Sequence, residues 1–215
     1  MHKRLSAAVV VAATMAMPAL AETPAAPLTT IETPQMGDRW TYVSRDEITG
    51  QIMPAFTQIV TEVTESEISI RVTMPGRPDN YFTYDRTWNL TNNGTWRYTP
   101  NNGQGIKEPL TVGKTWSISG TGTTSAGASW LHSAIGKVVG QETITTKAGT
   151  FDTFQIETAY NSQDRNDSTR KVQLIQRMWY APTVSHWVKV TNEGRMGGTL
   201  RTKTSMELID YGRRN

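Results

Sequence analysis

Cysteine is absent from the 215-residue chain, and only three histidines occur. The first absence excludes disulfides and every metal site built on thiolates, such as zinc fingers and iron–sulfur clusters. After residue 21 no stretch is apolar enough to supply the roughly 20 residues that a membrane-spanning helix needs. Positive and negative charges nearly balance, which argues against a basic surface for nucleic acid. The sequence therefore predicts no nucleic-acid partner and no transmembrane segment in the mature chain.

The N-terminus carries the three-part pattern of a secretory signal peptide. An apolar stretch follows Lys3 and Arg4, and Ala19 and Ala21 are the small residues before a cleavage site. We expect residues 1–21 to be removed and the mature protein to be periplasmic or secreted. Once Lys3 and Arg4 are lost, 20 basic residues face 19 acidic ones, so the mature net charge is +1.

The mature chain divides into a short lead-in and one domain. Residues 22–34 are rich in proline, threonine and alanine and have no periodicity, which predicts a disordered lead-in. Residues 35–215 are predicted to form a single β domain. Of the 33 threonines in the chain, 32 follow the signal, and threonine favours the pleated backbone of strands. No segment after the signal has an apolar stripe of period 3.6, so little helix is expected.

Apolar and polar residues alternate in several segments, a pattern typical of strands with one buried face. The clearest case contains Ile68, Ile70 and Val72. The other alternating segments contain Phe154, Ile156 and Tyr160; Val172, Leu174, Gln176 and Met178; Val184, His186, Val188 and Val190; and Thr204, Met206 and Leu208. Turn signals separate them at Thr49-Gly50, Pro75-Gly76, Asn93-Gly94, Ala148-Gly149 and Asn192-Glu193-Gly194. These patterns predict an all-β fold, an antiparallel barrel or curved half-barrel, with a sandwich as the remaining option.

A short motif occurs twice. Gly37-x-x-Trp40 and Gly113-x-x-Trp116 each stand at the entrance to a predicted strand. The glycine can make a bend, and the tryptophan three residues later can close one end of the core. The repeat indicates either a domain of two similar halves or a coincidence in a tryptophan-rich chain.

The sequence contains no motif for catalysis, metal binding or cofactor binding. His132 and His186 are the two histidines of the mature chain, and no third ligand stands at a spacing typical of a metal site. Gly-x-Ser-x-Gly and glycine-rich phosphate loops are missing. We therefore predict no catalytic residues, no metal and no cofactor. Strand acids such as Glu142, Asp152 and Glu157 leave one enzymatic alternative, a carboxylate pair for hydrolysis.

Aromatic residues are the one enriched feature, since all seven tryptophans lie in the mature part. They indicate either the packing of a β core or a pocket for an apolar or amphipathic molecule. Residues 89–105 and 119–129 are rich in Asn, Gly, Ser and Thr and are predicted to be mobile or turn-rich loops. Trp96 and Tyr98 lie in the first of these loops. We therefore predict that these two residues are exposed and contact a ligand or a partner.

Four motifs in the second half of the chain belong together. They are Val139-Gly140-Gln141-Glu142-Thr143-Ile144, Lys147-Ala148-Gly149-Thr150-Phe151-Asp152-Thr153-Phe154-Gln155-Ile156, Met178-Trp179-Tyr180-Ala181-Pro182-Thr183-Val184 and Trp187-Val188-Lys189. With Gly113-x-x-Trp116 they resemble a broad group of exported bacterial proteins of unknown function, over roughly residues 109–190. The resemblance implies a curved antiparallel half-barrel of the cell envelope that handles lipid or lipoprotein, with no established catalytic residues. The chain departs from the group at Ser185-His186, where a glycine is expected after the valine.

The functional hypothesis combines these observations. It is non-catalytic binding of an apolar or amphipathic ligand, such as a lipid or another apolar small molecule, on the concave face of the sheet. One alternative is a structural or interaction module that docks an envelope protein. The other alternative is a hydrolase with a carboxylate pair.

Overall fold

The computed structural model describes residues 33–213, in which side chains alternate between an inner and an outer face along twelve β-strands. The strands are β1 Arg39–Asp46, β2 Phe56–Val63, β3 Glu67–Thr73, β4 Asn80–Asp85, β5 Leu90–Asn92, β6 Trp96–Asn102, β7 Thr115–Thr124, β8 Ser129–Thr146, β9 Gly149–Asp164, β10 Lys171–Ala181, β11 His186–Met196 and β12 Thr199–Gly212. A single turn of 3₁₀ helix, Pro182–Val184, joins β10 to β11. The predicted signal peptide and all but the last two residues of the predicted lead-in lie outside the described residues.

The strands form a closed antiparallel barrel. Each strand pairs with the next along the chain, and β1 pairs with β12, from Arg39 opposite Gly212 to Asp46 opposite Thr204. The all-β prediction is therefore confirmed, and of the architectures considered the barrel is the one that forms. Closure gives every strand a neighbour on both sides, although β5 and β6 pair only at Asn92 and Arg97. In the part of the chain that the model describes, no helix is long and apolar enough to cross a bilayer.

The hydrophobic core fills one end of the barrel, which we call the closed end. Ile68 and Ile70 are fully buried there, as their alternation predicts. The other large side chains with almost no exposure at this end include Trp40, Tyr42, Val60, Val138, Tyr180, Val184, Val188 and Leu208. At the opposite end, which we call the mouth, inward residues such as Leu174 and Tyr98 are only half-buried. The interior is thus packed at one end and more open at the other.

The two Gly-x-x-Trp motifs begin the two six-stranded halves of the barrel, β1–β6 and β7–β12. Gly37 and Gly113 adopt positive φ angles of 94° and 89°, which glycine accepts without strain. Both turns make the same hydrogen bonds, because Gly37 N–H and Gly113 N–H each donate over 2.8 Å to a buried valine carbonyl, of Val60 and Val138 respectively. A register shift follows each valine in its strand. The structure therefore repeats in its two halves.

A second pair of equivalent positions supports the same symmetry. Trp88 and Ser185 have positive φ angles, 64° and 54°, and they are the non-glycine residues of the described chain with that conformation. Trp88 lies just after the end of β4, and Ser185 lies just after β10 and its 3₁₀ turn. Both strands end at the closed end of the barrel. Each N–H also closes a turn onto the carbonyl three residues earlier, of Asp85 or Pro182, over 3.1 Å. The connections β4–β5 and β10–β11 therefore have the same shape.

Three loop predictions are wrong. Residues 89–105 contain β5 and β6, and residues 119–129 contain the end of β7, the tight turn to β8 and the first residue of β8. The Asn192-Glu193-Gly194 signal lies inside β11, and the turn forms instead at Gly197-Gly198. Glycine is needed at residue 194 for another reason, because the Thr202 side chain on β12 occupies the space that a Cβ there would need. These glycines serve packing between strands as well as turns.

Candidate binding cavity

A cavity of about 270 Å³ lies inside the barrel, between the closed end and the mouth. Its volume is close to the lower limit for small-molecule pockets and would hold roughly nine waters. The residues that line it come from β4, β5, β9–β12 and two connections, and they are Tyr84, Trp88, Leu90, Gln104, Tyr160, Gln176, Met178, Trp187, Val190, Asn192 and Met206. Most of these side chains belong to the inward set of their strands. The cavity is therefore a property of the barrel interior.

Aromatic rings form the floor of the cavity. Trp88 packs edge-on against Tyr84 and Trp187, with ring centroids 5.4 Å and 6.1 Å apart. Edge-to-face packing of this kind holds the rings in fixed positions. Met178 and Met206 add flexible apolar surface beside them. The floor is thus apolar, with rigid rings and adaptable thioethers.

The amide groups of Gln176 and Asn192 form one wall of the cavity, one rung nearer the mouth. Strand register places Gln176 opposite Thr158 and Asn192, and it places Asn192 opposite Thr204. Gln176 Nε2 donates to Asn192 Oδ1 over 3.1 Å. Both amides keep further donor and acceptor capacity, since an amide group can make about four hydrogen bonds. The wall can therefore bind the polar part of a ligand.

His186 lies directly below the floor and is fully buried. Its ring stacks on Trp40 at 4.3 Å and contacts the edge of Trp88 at 4.8 Å. Its Nδ1 lies 2.6 Å from the Tyr42 hydroxyl, which also donates to the Trp187 carbonyl over 2.8 Å. Burial lowers the pKa of His186 to about 3, so the ring is neutral at physiological pH. The residue fixes the floor from below and does not reach the cavity.

Trp96 and Tyr98 lie on β6, where they are half-buried and face inward. The prediction that they lie in an exposed loop is therefore wrong, because β6 pairs with β7 through this segment. A Cβ at Gly122 of β7 would lie 3.1 Å from Tyr98 and 3.3 Å from Trp96, so glycine makes room for both rings. Burial is the main cause that raises the pKa of Tyr84, and the nearby Tyr98 adds to it. Contact of these two residues with a ligand stays a prediction.

His132 stands beside Tyr98 at the mouth, with ring centroids 5.9 Å apart. Its Nδ1 lies 2.8 Å from the Ser162 hydroxyl, while its Nε2 is buried without a hydrogen-bond partner among residues 33–213. Burial lowers the pKa of this histidine as well. A serine–histidine pair is one element of nucleophilic catalysis, but no carboxylate of the described chain hydrogen-bonds to His132 to complete a triad.

The three strand acids named above are each engaged with a different group. Glu142 accepts a hydrogen bond from Trp179 Nε1 over 2.6 Å. Asp152 accepts one from Thr143, and Glu157 pairs with Arg177 over 2.8 Å. Each of the three acids is thus held by a different side chain. Across residues 33–213, no three His, Asp or Glu side chains stand close enough to hold a metal ion.

A larger groove of about 610 Å³ runs over the outer face near the mouth. Its lining is mostly outward and exposed, and it includes Asn161, Gln173 and Lys171. Arg195, which also lines it, is already bound to Glu193 over 2.8 Å. Although smaller, the inner cavity has the apolar floor and the few convergent polar groups that typify ligand sites.

Most of the cavity was not predicted from sequence. Gln176 stands in an alternating segment with Leu174 and Met178, so its inward direction was readable. The Asn192-Glu193-Gly194 pattern predicts a turn, so it does not reveal the inward position of Asn192 on β11. Gln104 lies in the connection after β6, where no periodicity indicates its direction.

The fold has counterparts among solved structures. A protein from Bacteroides fragilis that is named as an exported protein with a YmcC-like fold superposes with a TM-score of 0.57 at 13% identity, covering 86% of this chain and 99% of that chain. A protein from Parabacteroides distasonis that is named as a lipoprotein superposes with a TM-score of 0.55 at 14% identity, with the same coverage of 86% and 99%. At these identities the likeness shows a shared fold. No protein-family model and no curated protein matches the chain.

Proposed function

We propose that this protein is exported and binds a small apolar or amphipathic molecule inside its barrel without transforming it. The observation that carries the proposal is the cavity of about 270 Å³, which combines an aromatic and methionine floor with an amide wall. An apolar body would be stabilised by the floor at roughly 25 cal/mol per Å² of buried surface, and the amides would orient a polar group.

Export is supported by two independent observations. The first is the signal-peptide pattern of residues 1–21. The second is that the two proteins sharing the fold are named as an exported protein and a lipoprotein. Cell fractionation followed by N-terminal sequencing tests this part, because periplasmic or secreted material should begin at Glu22. A cytoplasmic protein that retains Met1 would contradict it.

The test of ligand binding is native mass spectrometry of the mature protein, purified without detergent from the compartment in which it accumulates. A reproducible excess over the mass of residues 22–215, identified by extraction as an apolar or amphipathic compound, is the expected result. A mass equal to that of residues 22–215 alone, together with no binding of added 1-octanol in calorimetry, would contradict the proposal.

A pair of variants on one strand assigns the binding to the cavity. Met178→Trp places a larger ring in the cavity and should weaken 1-octanol binding at least tenfold. Ile175→Trp adds a similar bulk to the same strand on the outer face, where Ile175 lines a charged surface groove. This control should bind 1-octanol as the parent does. Equal loss in both variants would place the binding elsewhere.

The second candidate function, docking of an envelope protein, has one observation in its favour. Leu131, Ile135 and Val139 lie on the outer face of β8, with Ser133 and Lys137 between them, and are 47%, 61% and 37% exposed. Exposed aliphatic stripes are common at interaction surfaces. A photo-crosslinking residue at position 135 should then capture a single envelope protein, whereas the same residue at position 97 on β6 should not. Capture of nothing, or of the same proteins from both positions, would reject docking at this stripe.

A further inference from the structure

The mouth of the barrel exposes a group of apolar side chains on the connection from β1 to β2. Ile48, Ile52 and Met53 in this connection are 54%, 64% and 37% exposed. The turn that carries them is ordered, because Asp46 Oδ1 accepts hydrogen bonds from the N–H groups of Ile48 and Thr49 over 2.8 Å and 3.1 Å. The apolar side chains are therefore presented to solvent by a defined turn.

Basic side chains follow the mouth from this connection onward. The Glu47 N–H donates to the Lys203 carbonyl over 2.8 Å, so the connection packs against β12. Strand pairing then continues the rim from β12 through β11 and β10 to β9. The exposed basic residues at these strand ends are Arg165, Arg170, Lys171, Arg195, Arg201 and Lys203. We call this part of the mouth the basic rim.

The basic rim carries a net positive charge. The acidic residues of the same strand ends are Asp164, Asp167 and Glu193. Asp164 and Glu193 are already bound to arginines of the rim over 2.8 Å. Lys171 and Arg201, by contrast, make no ion pair with any residue from 33 to 213. On the other side of the mouth the charges balance, since Arg45, Arg77 and Arg97 stand against Asp46, Glu47 and Asp79.

The closed end differs from the mouth in charge. Its β2–β3 hairpin contains Glu62, Glu65 and Glu67 and no basic residue. It also exposes apolar side chains, since Met36 and Val112 are 57% and 56% exposed. Exposed apolar groups therefore occur at both ends of the barrel, and the mouth combines them with positive charge.

We infer that the mouth docks on an anionic lipid bilayer, with Ile48, Ile52 and Met53 in the headgroup region and the basic rim against the lipid phosphates. Aliphatic side chains beside lysine and arginine bind membrane surfaces by apolar burial together with attraction to anionic lipids. Docking in this orientation places the open end of the barrel against the bilayer. The inference goes beyond the proposed function, because it holds with or without a ligand in the cavity.

Vesicle flotation tests the docking. The mature protein is mixed with vesicles of phosphatidylcholine alone, or of equal parts of phosphatidylglycerol and phosphatidylcholine. In about 50 mM NaCl it should bind the mixed vesicles at least tenfold more tightly, and about 500 mM NaCl should weaken this binding because salt screens the attraction. Equal binding to both vesicles, or binding to neither, would overturn the inference. The proposed function is tested separately, by 1-octanol binding without vesicles.

Two double variants test which end docks. Ile48→Ser with Ile52→Ser should weaken binding to the mixed vesicles at least fivefold. Met36→Ser with Val112→Ser removes side chains of similar exposure at the closed end and should bind as the parent does. Because all four side chains are exposed, we expect both proteins to fold, and circular dichroism verifies it. Unchanged binding of the first variant, or equal loss in both, would overturn docking through the mouth.

A pair of charge reversals tests the basic rim. Lys171→Glu should weaken binding to the mixed vesicles several-fold at low salt. Lys147→Glu makes the same change at an exposed position of the closed end, on the connection from β8 to β9, and should have little effect. If both reversals weaken binding equally, net charge and not the rim would be responsible, and the inferred orientation would be rejected.

Discussion

The Tyr42 hydroxyl and Nδ1 of His186 lie 2.6 Å apart in the fully buried core, 144 residues apart in sequence. Because the hydroxyl gives its one proton to the Trp187 carbonyl, the neutral histidine satisfies it by donating from Nδ1. This leaves Nε2 without a partner among residues 33–213, in aromatic surroundings. The ring is therefore held in one tautomer, and a second proton would place an unpaired charge in the core.

The first prediction concerns acid stability. The pKa of His186 is about 3 in the folded protein and near 6.5 in the unfolded chain, so the folded state binds fewer protons. The free energy of unfolding therefore keeps its full value above pH 6.5. It falls as the pH drops toward 3, by up to roughly 1.4 kcal/mol per pH unit. His186→Phe should lose less stability over this range than the parent does. Urea unfolding at several pH values measures the free energy of unfolding of both proteins. If it falls equally with pH in the parent and in His186→Phe, His186 is not the cause of the acid sensitivity.

The second prediction concerns Ser185. Its φ of 54° lies in the left-handed region, where a side chain is strained by about 1 kcal/mol. The Ser185 N–H nevertheless closes the turn onto the Pro182 carbonyl over 3.1 Å. Ser185→Gly should therefore raise the free energy of unfolding by roughly 1 kcal/mol. Thr183→Gly in the same connection has no such strain to relieve and should lower it. A destabilised Ser185→Gly variant would contradict this account.

The third prediction concerns two glycines of β8. A Cβ at Gly136 would lie 2.6 Å from the ring of Trp116, whereas a Cβ at Gly140 would meet no atom within 4 Å. Gly136→Ala should cost about 1–3 kcal/mol of stability through overpacking, and Gly140→Ala should be close to neutral. Thermal unfolding of both variants checks the difference. Equal midpoints would mean that the Trp116 ring moves aside freely.

The fourth prediction concerns Trp96 at the mouth. Trp96 and Tyr98 face the interior above the cavity, so Trp96→Ala should weaken binding of 1-octanol several-fold while the barrel stays folded. Arg97 lies between them, is exposed and faces outward, so Arg97→Ala should leave binding unchanged. If calorimetry gives both variants the affinity of the parent, the predicted contact is rejected.

The sequence predicted correctly the strands that have one buried and one exposed face. Ile68, Ile70 and Phe154 stand at alternate inward positions, and burial of one face imposes that period directly. The repeat of Gly37 and Gly113 was also visible, because the positive φ angle of each turn falls on the glycine of its own motif.

Sequence reasoning failed where a neighbouring strand decides the conformation. Gly122 belongs to β7 and not to a loop, because the rings of Tyr98 and His132 fill the space beside it. Asn192 belongs to the cavity wall because it pairs with Gln176 across the ladder. Neither relationship is local in sequence, so local turn propensities for Asn and Gly pointed to the wrong structure.

The pairing of β1 with β12 makes the first strand depend on the last. Tyr42 meets Leu208 in this pair, so the ladder closes only when nearly the whole chain has been made. Until β1 and β12 pair, each of them has an unpaired edge, to which a strand of another chain can bind. Contacts so distant in sequence also slow folding. A chain shortened before β12 would therefore be expected to aggregate, and the folding rate would be limited by how fast the two ends find each other.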